Sequence, residues 1–328
     1  LNKSHKYSEF SDNMSLPVIM APMFLVSNPE TVIKGCTSGI IGSFPALNAR
    51  TGNILAEWMT EIKAEIEKAK TENPAGEIAP WAVNFISHKN HNKRYDEDLE
   101  LIEQYQPPIV ITSLGDPKPV VDIVHRYGGL VFADVINIFF AKKAADKGVD
   151  GLILVCNGAG GHAGTYHPMA FLKEVKQFFN GITVLAGSIS DGRDVLAAEV
   201  MGADFAYIGT KFIAAAESSA PEEYQEMLVQ STMEDIMYTD VFSGVNANYL
   251  KPSITQAGID PKDIVDKKVT KHNVSEFSET KAWKDVWSAG HGVGSVTQIQ
   301  TLQEMIEELK ESYHSAFNEL TVKQLRER

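Results

Sequence analysis

The chain has 328 residues, 44% of them hydrophobic, with 30 Lys and Arg against 43 Asp and Glu and a formal net charge of −13. That length and apolar content suffice for one large α/β domain with additions, or for two domains. An acidic chain without a basic tract is poorly suited to nucleic acid or to anionic lipid surfaces, and favours a small-molecule ligand.

Short apolar runs recur along the chain, each followed by a helical pattern. The first, residues 17–22, ends in Ala21, Pro22 and Met23 with no glycine, and the second covers 40–45. Ile54, Trp58, Ile62 and Ile66 then recur every four residues, with Leu55 and Met59 on the same face, and the Glu/Lys run over 61–70 is a solvated helix face. Runs at 81–86 and 109–114 follow, the former with Asn84 inside it. Asp116 and Pro117 predict the next helix start, with Asp116 as its cap. The fifth run, 130–135, carries Asp134. The sixth, 151–156, leads into Gly158, Gly160, Gly161, His162 and Gly164. There the backbone is bare, and His162 is the one side chain able to carry a proton near neutral pH. The seventh run, 183–188, precedes a helix from Asp191 to near Gly202, and the eighth covers 205–210. A short helical piece reaches Ala216, another helix covers 221–230, and residues 231–295 show weak periodicity with turn signals at Ser243, Pro252 and Asn273. Residues 298–317 are strongly helical and acidic.

Eight strand–helix units predict a (β/α)8 barrel of the TIM type, an α/β fold whose ligands sit at the C-terminal strand ends. A doubly wound sheet would open on a glycine-rich turn after the first strand, and the glycines at 158–164 do not fit that fingerprint. We expect a barrel over 1–216 and a mainly helical extension over 217–328, packed beside the barrel mouth and completing the substrate site. Cys36 and Cys156 lie in apolar contexts, which points to reduced, buried thiols in a cytoplasmic protein. No apolar run approaches the ~20 residues of a membrane span, and the polar stretch 1–15 does not read as a signal peptide. The chain opens on Leu1 rather than Met, so the natural start is expected upstream.

At the strand ends, Gly187 and Ser188 on one strand and Gly209 and Thr210 on the next offer amides and hydroxyls near a helix start, a common way for barrels to hold phosphate. Asn84 suits either a satisfied core amide or the edge of a cofactor ring. Cys156, His162 and His167 match no standard zinc spacing, so no metal is expected. Cys156 has no obvious activating charge for a nucleophile.

The segments around Pro17–Met23, Val83–Phe85, Ala159–Gly164, Leu185–Gly192, Ile208–Phe212 and Trp287–Gly292 together resemble the nitronate monooxygenases, formerly called 2-nitropropane dioxygenases, which are FMN-dependent barrel enzymes. The resemblance spans roughly residues 16–295. It implies that Ala21, Pro22 and Met23 line the flavin ring, that Asn84 hydrogen-bonds its edge, and that Gly160 and Gly161 let it approach. It further implies that Gly187, Ser188, Gly209 and Thr210 hold the FMN phosphate and that His162 is catalytic. Phe24, Thr165, Tyr166 and Ser243 are candidates for the substrate wall. The implied activity is oxidation of nitronates or nitroalkanes by O2 to a carbonyl compound and nitrite. The alternative is an NAD(P)H-dependent flavin reductase of the quinone or enoyl-acyl-carrier type, since such proteins share the glycine–histidine loop. Ser188 stands where a second glycine is common, and His291 where glutamine is commoner. Asp134 is near where some relatives carry a lysine. The substrate is expected to be nitronate-like or quinone-like, and the acidic helix is a candidate surface for a homo-oligomer.

Overall fold

The computed structural model describes residues 13–277 and 283–326; most of the polar stretch expected over 1–15 lies outside the described residues. Its centre is an eight-stranded parallel sheet. The strands are β1 (Val18–Met20), β2 (Gly42–Pro45), β3 (Trp81–Ile86), β4 (Ile109–Ser113), β5 (Leu130–Val135), β6 (Gly151–Val155), β8 (Ile182–Ala186) and β9 (Phe205–Ile208), while β7 (Gly161–His162) belongs to a second, smaller sheet. The order runs β1-β9-β8-β6-β5-β4-β3-β2. The circle closes between β1 and β2 through an Ile19–Ile41 bridge, with Met20 N–H donating to the Ile41 carbonyl at 2.8 Å and Ile41 N–H to the Val18 carbonyl at 3.0 Å. The expected TIM barrel is therefore present.

Strand side chains alternate between two cores, as a period of two requires. Ile19, Ile41, Ile111, Phe132, Ile153, Val184 and Phe205 fill the interior. Val83, Val110, Val131, Leu154 and Leu185 face the surrounding helices. These are α1 (Pro29–Thr37), α2 (Gly52–Glu72), α3 (Tyr95–Tyr105), α4 (Lys118–Val124), α5 (Ile138–Asp146), α6 (Pro168–Val175) and α7 (Gly192–Met201). Local signals set their ends. Asp116 Oδ1 accepts the Lys118 amide at 3.0 Å. Asp191 and Asp194 form a capping box at the start of α7, which stops at left-handed Gly202.

After β9 the chain makes one helical turn, α8 (Thr210–Ile213), and then leaves the wall. Residues between carry α9 (Glu222–Gln230), β10 (Ile236–Thr239), β11 (Ala247–Leu250), α10 (Lys251–Gln256), α11 (Pro261–Val265) and α12 (Val274–Phe277). The expected acidic helix is α13 (Leu302–Arg326), and its place differs from the expectation. It packs between α7 and α1 on the barrel wall, not beside the mouth. The reason is its apolar stripe: Leu302, Met305, Ile306, Leu309 and Ala316 are all buried. Tyr313 Oη donates to Glu199 at 2.5 Å, and Arg193 pairs with Glu319 at 3.0 Å. The two extension strands were not expected; they pair antiparallel with each other, and β11 pairs with β7. No helix among the described residues is long and apolar enough to cross a membrane.

Candidate active site

The uppermost interior layer of the barrel is polar. Asn84, Ser113, Asp134 and Tyr207 continue the inward-facing positions of β3, β4, β5 and β9 at their C-terminal ends. Asn84 Nδ2 donates to the Ile111 carbonyl at 3.1 Å and to Ser113 Oγ at 2.7 Å. Ser113 passes its own proton toward Asp134 Oδ2 at 2.5 Å. Asp134 Oδ1 and the Tyr207 hydroxyl are both buried without a hydrogen-bond partner. Burial pushes the Asp134 carboxyl up to about 6, with the Ser113 hydrogen bond opposing, and it pushes the Tyr207 phenol up as well, helped by the Asp134 charge.

Above this floor lies a cavity of about 870 Å³. Ala21, Pro22, Met23, Phe24, Asn84 and Asp134 line it, as do Gly160, Gly161, His162, Gly187, Ser188, Gly209 and Thr210. The residues expected from the sequence to be catalytic or to hold the cofactor thus meet around one space.

The glycine–histidine loop is held by the second sheet. Gly161 and His162 form β7 and pair with Asn248 and Ala247 of β11. Asn248 Nδ2 donates to the Ala159 carbonyl at 2.7 Å, and Tyr238 Oη to the Ala163 carbonyl at 2.8 Å. His162 Nε2 lies 3.1 Å from Ser243 Oγ, which donates to the Val245 carbonyl and accepts from Tyr249 Oη. That network is satisfied when Nε2 carries the proton and donates to Ser243, which leaves Nδ1 as the basic nitrogen. Trp283 closes edge-on against the imidazole, with ring centroids 5.2 Å apart, and stacks on Tyr249. Burial lowers the His162 pKa, and the neighbouring His91 lowers it further.

At the other end, Gly187 has φ +116°, a left-handed conformation suited to glycine, and a Cβ there would lie 2.9 Å from the Asn157 carbonyl. Ser188 follows at φ +59°, an uncommon conformation for a residue with a side chain. The segment 287–292 packs over these turns. Gly290 N–H donates to Thr210 Oγ1 at 2.9 Å, and His291 N–H to the Gly158 carbonyl at 2.9 Å. A Cβ at Gly290 would lie 2.5 Å from the Gly158 carbonyl oxygen, so this closure requires glycine there. The helix start expected to share in phosphate binding is closed by its own carboxylates. Asp194 Oδ2 accepts the Ser190 amide at 2.9 Å, and Asp191 Oδ1 the Asp194 amide at 2.9 Å. The N–H and O–H donors left at this end are those of the loops.

Of the four wall candidates only Phe24 lines the cavity. Thr165 and Tyr166 are exposed and do not line the cavity; the Tyr166 ring stands edge-on to Phe171 instead. Ser243 touches the site through His162 and not as wall. Ser113, Tyr207, His91 and Trp283 were missed. Ser113 and Tyr207 alternate in phase with interior strand residues, a signal the sequence does carry. Trp283 lies among weakly periodic residues that give none. Both cysteines are buried, and burial pushes their thiols up to about 12, which removes Cys156 as a nucleophile.

A family model described as nitronate monooxygenase matches residues 13–312. A nitronate monooxygenase of Paraburkholderia phytofirmans is 27% identical over 282 residues, which is 75% of this chain and 76% of that protein. Among solved structures, FabK from Thermotoga maritima superposes with a TM-score of 0.75 at 20% identity, covering 98% of both chains. Nitroalkane oxidase from Streptomyces ansochromogenes superposes with a TM-score of 0.75 at 21% identity, covering 94% of this chain and 99% of its own. The two structures share the fold.

Proposed function

The chain belongs to the nitronate monooxygenase family and is an oxidoreductase of that type, and on that premise we propose that it binds FMN and oxidises nitronates with O2 to a carbonyl compound and nitrite. The observation that carries this reading is the meeting of Ala21–Met23, Asn84, His162, Gly187–Ser188 and Gly209–Thr210 around one cavity. The residues suit the cofactor. Gly187, Ser188, Gly209 and Thr210 would hold its phosphate by amides and hydroxyls. Ala21–Met23 would line the ring. Asn84 has its Nδ2 committed to Ile111 and Ser113, which turns Oδ1 to serve as an acceptor for a ring N–H. When bound, FMN supplies the electron exchange with nitronate and O2.

The chain's own part is proton control and shielding. His162, held neutral by burial, takes the α-proton of a neutral nitroalkane, or stands beside a nitronate that arrives already deprotonated. Its ring is fixed by Ser243 on one side and Trp283 on the other, so it does not have to be oriented during the reaction. The depressed pKa keeps this base active to lower pH than an ordinary histidine. The test is anaerobic mixing of the FMN-loaded protein. Bleaching of the yellow flavin by propyl-2-nitronate, with indifference to NADH and NADPH, supports the reading. Bleaching by a reduced nicotinamide alone transfers the chain to the flavin reductases, and a protein that cannot be loaded with FMN ends both.

A further inference from the structure

The cavity does not stop at the barrel mouth. Beyond Ile136 its wall passes to Thr112, Ala133 and Val135, which face outward from β4 and β5 into the layer between sheet and helices. It then runs along Phe140, Lys143, Ala144 and Lys147, one face of α5 and the residues just after it at helical spacing. The opposite side is the loop from Leu114 to Pro117 that leads into α4. Helix α5 and the loop leading into α4 therefore border a side crevice open to the active-site cavity. Protein cores are close-packed, and space between neighbouring wall helices forfeits dispersion contacts. Here the space is kept by small residues, Ala133 and Ala144, both buried. Large apolar side chains stay exposed along its lip: Leu114 at 44%, Ile136 at 36% and Phe140 at 46%. At the outer end Lys147 pairs with Asp116 at 3.3 Å, and Lys143 lies over the Phe139 ring at 5.4 Å, so the apolar stretch is bounded by charge.

We infer that the crevice between α5 and the loop leading into α4 is a substrate subsite that holds an unbranched alkyl chain, its reacting end at His162 and its far end against α5. The residues assigned to FMN lie toward β1, β3, β8 and β9 and on the loop after β6, while the crevice runs along the outward faces of β4 and β5 toward α5, so the cofactor does not account for it. The nature of the reacting end rests on the proposed nitronate oxidation; the chain site does not. Phe140, Ala144 and Ile136 then set chain-length preference, with the aliphatic stems of Lys143 and Lys147 covering the last carbons.

Straight-chain carboxylates, planar anions that mimic a nitronate without reacting, test this by calorimetric titration of the FMN-loaded protein from propanoate to decanoate. Affinity is expected to rise about four-fold per methylene through the middle of the series and then level off. Ala144→Phe is expected to abolish the rise. Phe140→Ala, on the exposed lip where folding is not at stake, is expected to weaken decanoate binding several-fold. Equal affinity across the series in the wild type, or an unaltered rise in both variants, overturns the subsite. A chain-length series that behaves as expected in a protein whose flavin ignores nitronates would keep the subsite and discard the nitronate reading.

Discussion

Asp134 is a carboxyl held where its ionised form is poorly solvated. In the folded protein its pKa is pushed from 3.8 to about 6 by burial. A carboxyl whose folded pKa exceeds its unfolded one binds its proton more tightly when folded, so stability falls as pH rises between these two values, and the full cost is present above about 6. Asp134→Asn, which keeps an acceptor for Ser113, is expected to unfold in urea like the wild type near pH 3. At pH 8 it is expected to be more stable by on the order of 1–3 kcal/mol. An Asn variant less stable at pH 8 would show that the carboxylate is compensated. His162 belongs to the same scale. His162→Ala is expected to retain FMN and to lose on the order of 10²–10⁴ of its turnover with a neutral nitroalkane. With preformed nitronate the loss should be much smaller; equal losses in oxygen-uptake assays would mean that His162 does not act as the base. His162 was legible because bare glycine backbone surrounds it. The hydroxyl of Ser243 that fixes its tautomer comes from more than eighty residues away along the chain, and only folding brings that pair together.

At the scale of elements, the barrel strands were legible because they are short, mostly apolar runs buried on both faces, each followed by a helical pattern. The β7–β11–β10 sheet was not, because β7 is two residues long and takes its conformation from Asn248 and Ala247 across the ladder. Helix α13 was visible in the sequence and its docking was not. A 3.6-residue stripe says that one face is buried, and leaves open against what. The groove it fills lies between α7 and α1, which belong to opposite ends of the barrel's sequence. Leu309, 1% exposed at that contact, is expected to cost about 2–5 kcal/mol on replacement by alanine. Denaturant melts would register that loss; a change under 0.5 kcal/mol would show that the wall does not depend on α13.

For the molecule as a whole, the site is assembled from both ends of the chain, from Ala21 near the start to Gly292 near the finish. A ligand spanning such a site should stabilise the entire fold. FMN at a hundredfold excess over its dissociation constant is expected to add about 2.7 kcal/mol to unfolding, seen as a rise in melting temperature that grows with FMN concentration. A melting temperature indifferent to FMN would contradict the assignment of the cavity. The packing of α13 also bears on how the protein is made. During synthesis every barrel strand leaves the ribosome before residues 302–326 do, so the flanks of α1 and α7 stay bare until that helix emerges. Nascent chains stalled short of that helix should therefore be the species that proteases and chaperones find, and full protection should come only once the helix has emerged and docked.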